Sequence, residues 1–191
     1  MSRLLLLATG GTIAGRGADS ATLNDYSAGV LRGEDLLAAV PQLQDLATIN
    51  VEQIANVDSA DLLFAHWRAL VSRIREAFRM DPDLAGVVIT HGTNTLEETA
   101  WLLQLRIDDP RPVVLVGAMR PATALSADGP LNLFQAVQVA LSPEARGHGV
   151  LVVMDGQIHA AQRVTKVATQ GVGAFASPGY GPLGWVDDVG V

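Results

Sequence analysis

The sequence predicts an α/β fold, a mainly parallel or mixed sheet with helices on both faces, and three observations carry that prediction. Short apolar runs recur along the chain, amphipathic helical patterns lie between them, and polar clusters follow the runs. Strands alternating with helices make βαβ units, which bury a sheet on both faces and bind ligands at the carboxyl ends of the strands.

Residues 3–9 form the first run, which ends at Gly10-Gly11 and reads as a buried strand. Residues 85–90, 112–117 and 149–154 repeat the pattern and complete a set of parallel-strand candidates. From Ser59 onward, Leu63, Trp67, Leu70, Ile74 and Phe78 fall three or four apart, predicting an amphipathic helix capped by Asp58 or Ser59. Thr95-Leu96-Glu97-Glu98 has the form of a capping box at the start of a second helix. A third begins near Asp128-Gly129-Pro130, with proline in the first turn, where no N–H is needed. The stretch 15–26 is the only loose one.

The chain has 191 residues, enough for one domain or one and a fragment of another. Hydrophobic residues make up 49% and charged ones 17%, a balance that excludes disorder. A net charge of −7 and the lack of any Lys/Arg run longer than a pair exclude the footprint of a nucleic-acid binder. With no cysteine, a thiol nucleophile and thiolate metal sites are excluded, while the redox compartment stays open. The first apolar run is too short for a signal peptide or a membrane span, so the expectation is a cytoplasmic protein without a membrane partner. Prior removal of a leader would make it periplasmic instead.

Three segments carry residues suited to chemistry. In Thr9-Gly10-Gly11-Thr12-Ile13-Ala14-Gly15, paired glycines let the backbone approach a ligand and Thr12 adds a hydroxyl, although a tight structural turn explains the glycines equally well. The spacing matches neither the phosphate-loop nor the dinucleotide fingerprint. In His91-Gly92-Thr93-Asn94-Thr95, a helix cap accounts for one polar side chain but leaves the others unexplained. Lys166 lies in an alternating segment, 163–167. Pointing outward it is a solvated lysine, and buried among hydroxyls it is a base of lowered pKa. No G-x-S-x-G elbow is present, His66, His91, His148 and His159 lack metal-ligand spacing, and Trp67, Trp101 and Trp185 read as packing.

Together, Ala8-Thr9-Gly10-Gly11-Thr12-Ile13-Ala14-Gly15 and Thr90-His91-Gly92-Thr93-Asn94-Thr95-Leu96-Glu97-Glu98-Thr99-Ala100 resemble the two signature motifs of the bacterial asparaginase/glutaminase family. The similarity continues through Val40-Pro41-Gln42-Leu43, Asn56-Val57-Asp58-Ser59, Gly117-Ala118-Met119-Arg120-Pro121, 126–133, Val164-Thr165-Lys166 and Gly181-Pro182-Leu183-Gly184. It spans the chain in order and is strongest toward the asparaginase II-like branch.

The resemblance implies a flavodoxin-like three-layer domain that hydrolyses L-asparagine to L-aspartate and ammonia, with glutamine as a side substrate. Thr12 would be the nucleophile that forms an acyl-enzyme. Tyr26, on a closing lid over 15–26, would assist it. Lys166 would accept a proton and Thr93 would place a hydroxyl or water against the substrate. Gly11, Asp58, Ser59, Ala60, Gly92, Asn94 and Ala118 would line the substrate site, Ser59 holding the α-carboxylate and backbone amides near Thr93 and Ala118 forming an oxyanion hole. No metal or organic cofactor is implied, because hydroxyls, amides and an amine suffice.

Two departures from the family pattern stand out. Asn94 replaces an aspartate that pairs with the substrate's α-ammonium, and Ala60 replaces a polar contact. Relatives also resemble a two-domain chain. Residues 1–184 therefore read as the amino-terminal catalytic domain and 185–191 as the start of a linker to a missing carboxyl-terminal domain. With that domain the expectation is a dimer or tetramer, and without it a weakly active, association-prone product. An amidotransferase subunit supplying ammonia for tRNA-dependent glutamine synthesis, and a silent amino-acid-binding remnant, are the competing readings.

Overall fold

The computed structural model describes residues 1–191 apart from Thr22, Asn24, Asp188 and Val189. The first apolar run becomes β1 (Ser2–Gly10), buried from Leu4 onward. A strand with neighbours on both sides and helices over both faces keeps no solvent-facing row, so polar alternation disappears. A 3-10 turn (Thr12–Ala14) leads to β2 (Arg16–Gly17) and β3 (Tyr26–Ser27), which pair antiparallel. Helices α1 (Gly33–Ala38) and α2 (Leu43–Leu46) precede β4 (Ala47–Val57), and α3 (Phe64–Met80) precedes β5 (Leu84–Thr90). After them come α4 (Leu96–Arg106), β6 (Val113–Val116), α5 (Gly129–Leu141) and β7 (Val150–Met154). The chain closes with β8 (Gln157–Ala160), β9 (Thr165–Lys166), β10 (Phe175–Ala176) and β11 (Gly184–Trp185).

Seven strands make one sheet in the order β11-β8-β7-β6-β5-β1-β4. The segment from β4 to β7 is parallel, and β8 and β11 add on antiparallel. Counted along the chain, the five parallel strands lie in the order 2-1-3-4-5, the flavodoxin-like arrangement. The chain leaves β1 toward one edge and continues from β5 toward the other, so the topological switch falls between these two strands. Alternate side chains of β1 serve opposite layers: Leu4 and Leu6 pack with Leu133 and Val137 of α5, Leu5 and Leu7 with Leu70, Ile74 and Leu103 of α3 and α4. Each such leucine, moved from water to the interior, contributes about 1.5–3 kcal/mol.

The four predicted parallel strands are present, and three readings change. β4 went unrecognised because this edge strand carries Thr48, Asn50, Glu52 and Asn56 and has no continuous apolar run. The long helix begins at Phe64, not Ser59. Asp58 instead caps a 3-10 turn (Ser59–Asp61), its Oδ1 accepting from Ala60 N at 2.8 Å, and His66 Nδ1 accepts the Leu63 N–H at the true helix start. The capping box at Thr95 does not form: the Thr95 hydroxyl donates to Ser59 O at 2.9 Å and Glu97 turns toward β9. Of the stretch 15–26, Thr22 and Asn24 lie outside the described residues. Around them the β2–β3 pair is tied down by Gly17 N to Thr123 Oγ1 and Leu125 N to Ser20 O. Trp185 pairs with Gln157 and Val186 is buried, so the first two residues of the segment read as a linker are held by the fold.

At the amino-terminal end of the strands, Arg111 ties the elements together. Its guanidinium donates to Phe78 O and Asp81 O beyond α3 and to both carboxylate oxygens of Asp109, and it lies 4.1 Å from the centre of the Phe78 ring. The Asp109 and Asp81 carboxylates, hydrogen-bonded to Arg111 and Arg3 respectively, are held below the usual carboxylate range.

Candidate active site

The site residues lie at the carboxyl ends of the two strands where the topology switches. Ala8 and Thr90 are partners in the parallel ladder, so the loops following β1 and β5 leave the sheet side by side. They touch through glycine backbones. Gly11 has φ 77°, and a Cβ there would lie 2.2 Å from Gly92 Cα, while a Cβ on Gly92 would lie 2.7 Å from Ser59 Oγ. Only residues without side chains allow three segments to meet so closely.

The contact sets a hydroxyl pair beside an amine–hydroxyl pair. Buried Thr12 sits in the 3-10 turn with its Oγ1 2.7 Å from the Tyr26 hydroxyl. Across the glycine contact, Lys166 Nζ donates to Thr93 Oγ1 at 2.8 Å and to Asn94 Oδ1 at 3.4 Å. Burial pushes the Lys166 ammonium below its ordinary value, against the opposing pull of Asp58 and Glu97. Lys166 is half-buried, between the two readings of this lysine, with its amine against the Thr93 hydroxyl.

Asn94 occupies the gap between opposite charges. Its Nδ2 donates to Asp58 Oδ1 at 3.1 Å, and its Oδ1 faces Lys166. Ser59 Oγ accepts the amides of Asn94 (3.1 Å) and Thr95 (3.3 Å), the two residues ahead of α4, and its hydroxyl hydrogen is left for a further acceptor. Ala118, fully buried, follows β6, where Asn132 Nδ2 donates to Gly117 O at 3.1 Å. Ala60 is exposed on the 3-10 turn beside Ser59.

Two carboxylates escaped the sequence reading. Glu97 accepts from Thr165 Oγ1 at 2.9 Å and from the backbone N–H of Lys166, which fastens β9 to the first turn of α4. Among the described residues β9 pairs with β10, outside the main sheet, and this clamp, with the buried Val164 and Phe175, holds the segment that carries Lys166 to Thr93. Asp128 accepts the amides of Met119 and Arg120 at 2.9 Å each and shapes the loop after β6. The signal for both was a carboxylate at a helix start, which reads equally well as a local cap.

His91 is fully buried behind the Thr93 loop, and burial pushes its imidazole down to about 4. An unfolded chain protonates this ring near pH 6.5, so between those values it binds the proton that the fold refuses. The stability held by the neutral ring is complete above about pH 6.5 and is lost as pH falls toward 4, by about 3 kcal/mol. His159, buried and also held below its ordinary value, acts in the same direction. The urea midpoint is expected to fall steeply between about pH 7 and pH 4.5, and less so in His91→Asn. A midpoint that stays flat over that range contradicts this assignment.

Residues 3–191 match the family described as Asparaginase, N-terminal. The chain is 45% identical to L-asparaginase 2 of Bacillus subtilis and 46% identical to L-asparaginase 2 of Escherichia coli, covering 98% and 97% of its own length and 50% and 52% of theirs. It is 45% identical to a glutaminase-asparaginase of Pseudomonas fluorescens over 97% of its length and 51% of that protein. The chain thus spans about half the length of the curated relatives it matches. A crystal structure of a probable cytoplasmic L-asparaginase from Campylobacter jejuni superposes with a TM-score of 0.95 at 47% identity, over 98% of this chain and 57% of that one. With the two signature loops, the flavodoxin-like strand order and a match over nearly its whole length, this chain belongs to the asparaginase family.

Proposed function

We propose that this chain is the catalytic part of an amidohydrolase that converts L-asparagine to L-aspartate and ammonia, with glutamine as a slower substrate. The observation that carries the reading is the Lys166 Nζ to Thr93 Oγ1 contact of 2.8 Å beside the loop that bears the Thr12–Tyr26 pair. An amine with a depressed pKa next to a hydroxyl can take up a proton, and a buried threonine hydroxyl can attack a carboxamide carbon.

In this mechanism the Thr12 oxygen bonds to the side-chain carbon of asparagine and its proton departs through the Tyr26 hydroxyl. Backbone N–H groups at Thr93 and Ala118 stabilise the oxyanion. The C–N bond breaks and ammonia leaves with the transferred proton, giving an ester on Thr12. A water positioned by Thr93 gives one proton to Lys166 as its oxygen bonds to the ester carbon; the bond to Thr12 then breaks, the Thr12 oxygen takes up the remaining proton through Tyr26, and aspartate leaves as the proton on Lys166 passes to solvent. Ser59, at the amino-terminus of α4 where anions are favoured, donates to the α-carboxylate. Gly11 and Gly92 line the crevice, with Asp58, Asn94 and Ala60 around the α-ammonium. A cytoplasmic location and a homo-oligomeric assembly of the whole protein belong to the same proposal. Among the described residues, no helix is long and apolar enough to cross a membrane.

The test is ammonia release by the purified chain, with L-asparagine, L-glutamine and D-asparagine offered in parallel. The expected order is L-asparagine first and L-glutamine second, and no release from any of them sinks the proposal. Asn94→Asp is expected to lower the KM for asparagine about tenfold to a hundredfold, the worth of one charge-assisted bond of roughly 1.5–3 kcal/mol. It should also move the acid limb of the rate profile to higher pH, because a carboxylate at 94, added to those of Asp58 and Glu97, makes Lys166 hold its proton more tightly. An unchanged KM in that variant counts against the role given to position 94.

A further inference from the structure

His91 takes no part in the steps above, yet it is fully buried and both its ring nitrogens are engaged. Trp67 Nε1, which can only donate, lies 2.8 Å from Thr99 Oγ1. Thr99 Oγ1 lies 2.9 Å from His91 Nε2, and His91 Nδ1 lies 2.7 Å from Gly92 O. A carbonyl oxygen only accepts, so Nδ1 carries the hydrogen. The ring is neutral at ordinary pH, so Nε2 is an acceptor and the Thr99 hydroxyl donates to it. The Gly92 carbonyl fixes the tautomer, the Trp67→Thr99→His91 links are satisfied by it, and the chain joins three elements: α3, α4 and the loop after β5.

The last link matters for the reaction. The Gly92–Thr93 peptide is trans, and in a planar trans unit the C=O and the following N–H point in opposite directions. His91 packs toward the α3–α4 layer, where Trp67 and Thr99 lie, and pulls the Gly92 carbonyl that way. The Thr93 N–H thereby points away from that layer, on the side opposite the Gly92 carbonyl, and no acceptor among the described residues takes it.

We propose that His91 is a positioning residue whose Nδ1–H holds the Gly92 carbonyl inward and so aims the Thr93 backbone N–H at the oxygen that becomes negative during amide cleavage. This rests on the amidohydrolase reading given above. An oxyanion donor works because it is already in place when charge develops, and losing one costs about 10²–10³ in kcat. Misaiming one should therefore cost tenfold or more while leaving ground-state binding nearly intact.

Two substitutions separate this role from simple packing. Asparagine can place an amide NH₂ where Nδ1 lies and keep the bond to Gly92, whereas glutamine reaches the position of Nε2 and keeps only the contact with Thr99. His91→Asn is expected to keep a kcat about tenfold higher than His91→Gln, with KM values for asparagine within about threefold of each other. If packing alone matters, the larger glutamine fills the site better and the order reverses. Equal kcat values, or losses carried by KM, also overturn the proposal. Long-range proton–nitrogen spectra of the wild-type imidazole at pH 7 need neither variant to fold nor any turnover: hydrogen on Nδ1 supports the proposal and hydrogen on Nε2 overturns it. A wild-type chain without turnover but with Nδ1–H would sink the amidohydrolase reading while leaving the ring geometry established.

Discussion

Thr12→Val is expected to lower kcat/KM for asparagine by at least about 10⁴-fold, because it removes the atom that bonds to the substrate and no neighbouring group replaces it. Valine keeps the branched shape, and among the described residues the lost hydroxyl's partner is the half-buried Tyr26 phenol, which can turn to water. Stability should therefore change by no more than about 1 kcal/mol, so lost turnover with an unchanged melting curve isolates the chemistry. Ammonia release within tenfold of wild type would remove Thr12 from the mechanism.

The second large effect is expected at Lys166. Methionine matches the length of the side chain without its amine, and leaves Thr93 Oγ1 without its 2.8 Å donor. A general base contributes about 10²–10⁴ in rate, so Lys166→Met should lose that much kcat. Lys166→Arg distinguishes proton uptake from charge. Guanidinium stays protonated at every accessible pH, so arginine restores a positive group but no base, and its activity should match that of the methionine variant. If arginine recovers most of the rate, the amine acts as a fixed charge instead. In the wild type, kcat/KM should rise with pH as Lys166 loses its proton, and this limb should disappear in both variants.

How far the sequence could be read depended on whether each feature was local. The runs that became β1, β5, β6 and β7 are apolar throughout because each has strand neighbours on both sides and helices above and below. β4 has only one strand neighbour, and its polar face, where Glu52 pairs with Arg73 of α3, broke the run that would have announced it. The capping motif at Thr95 is a local pattern overruled by tertiary partners: the Thr95 hydroxyl donates to Ser59 O, and Ser59 Oγ accepts the amides of Asn94 and Thr95 just ahead of the helix.

The same distinction applies to the site. The glycine pair and the cluster at 91–95 marked themselves as polar interruptions after buried strands. Lys166 did not, since in sequence it is one lysine in an alternating segment. Its backbone N–H is held by Glu97, 69 residues away, a partner that no local pattern announces. His91 stood out as an imidazole without a reason until Trp67, Thr99 and Gly92 supplied one.

The knot around Arg111 lies at the opposite pole of the sheet from the glycine contact, with the length of the parallel strands between them. Robustness and reactivity are consequently housed in separate neighbourhoods. Efforts to harden this molecule against heat can be concentrated around Phe78, Asp81 and Asp109, where added rigidity leaves the glycine contact and the hydroxyls beside it untouched.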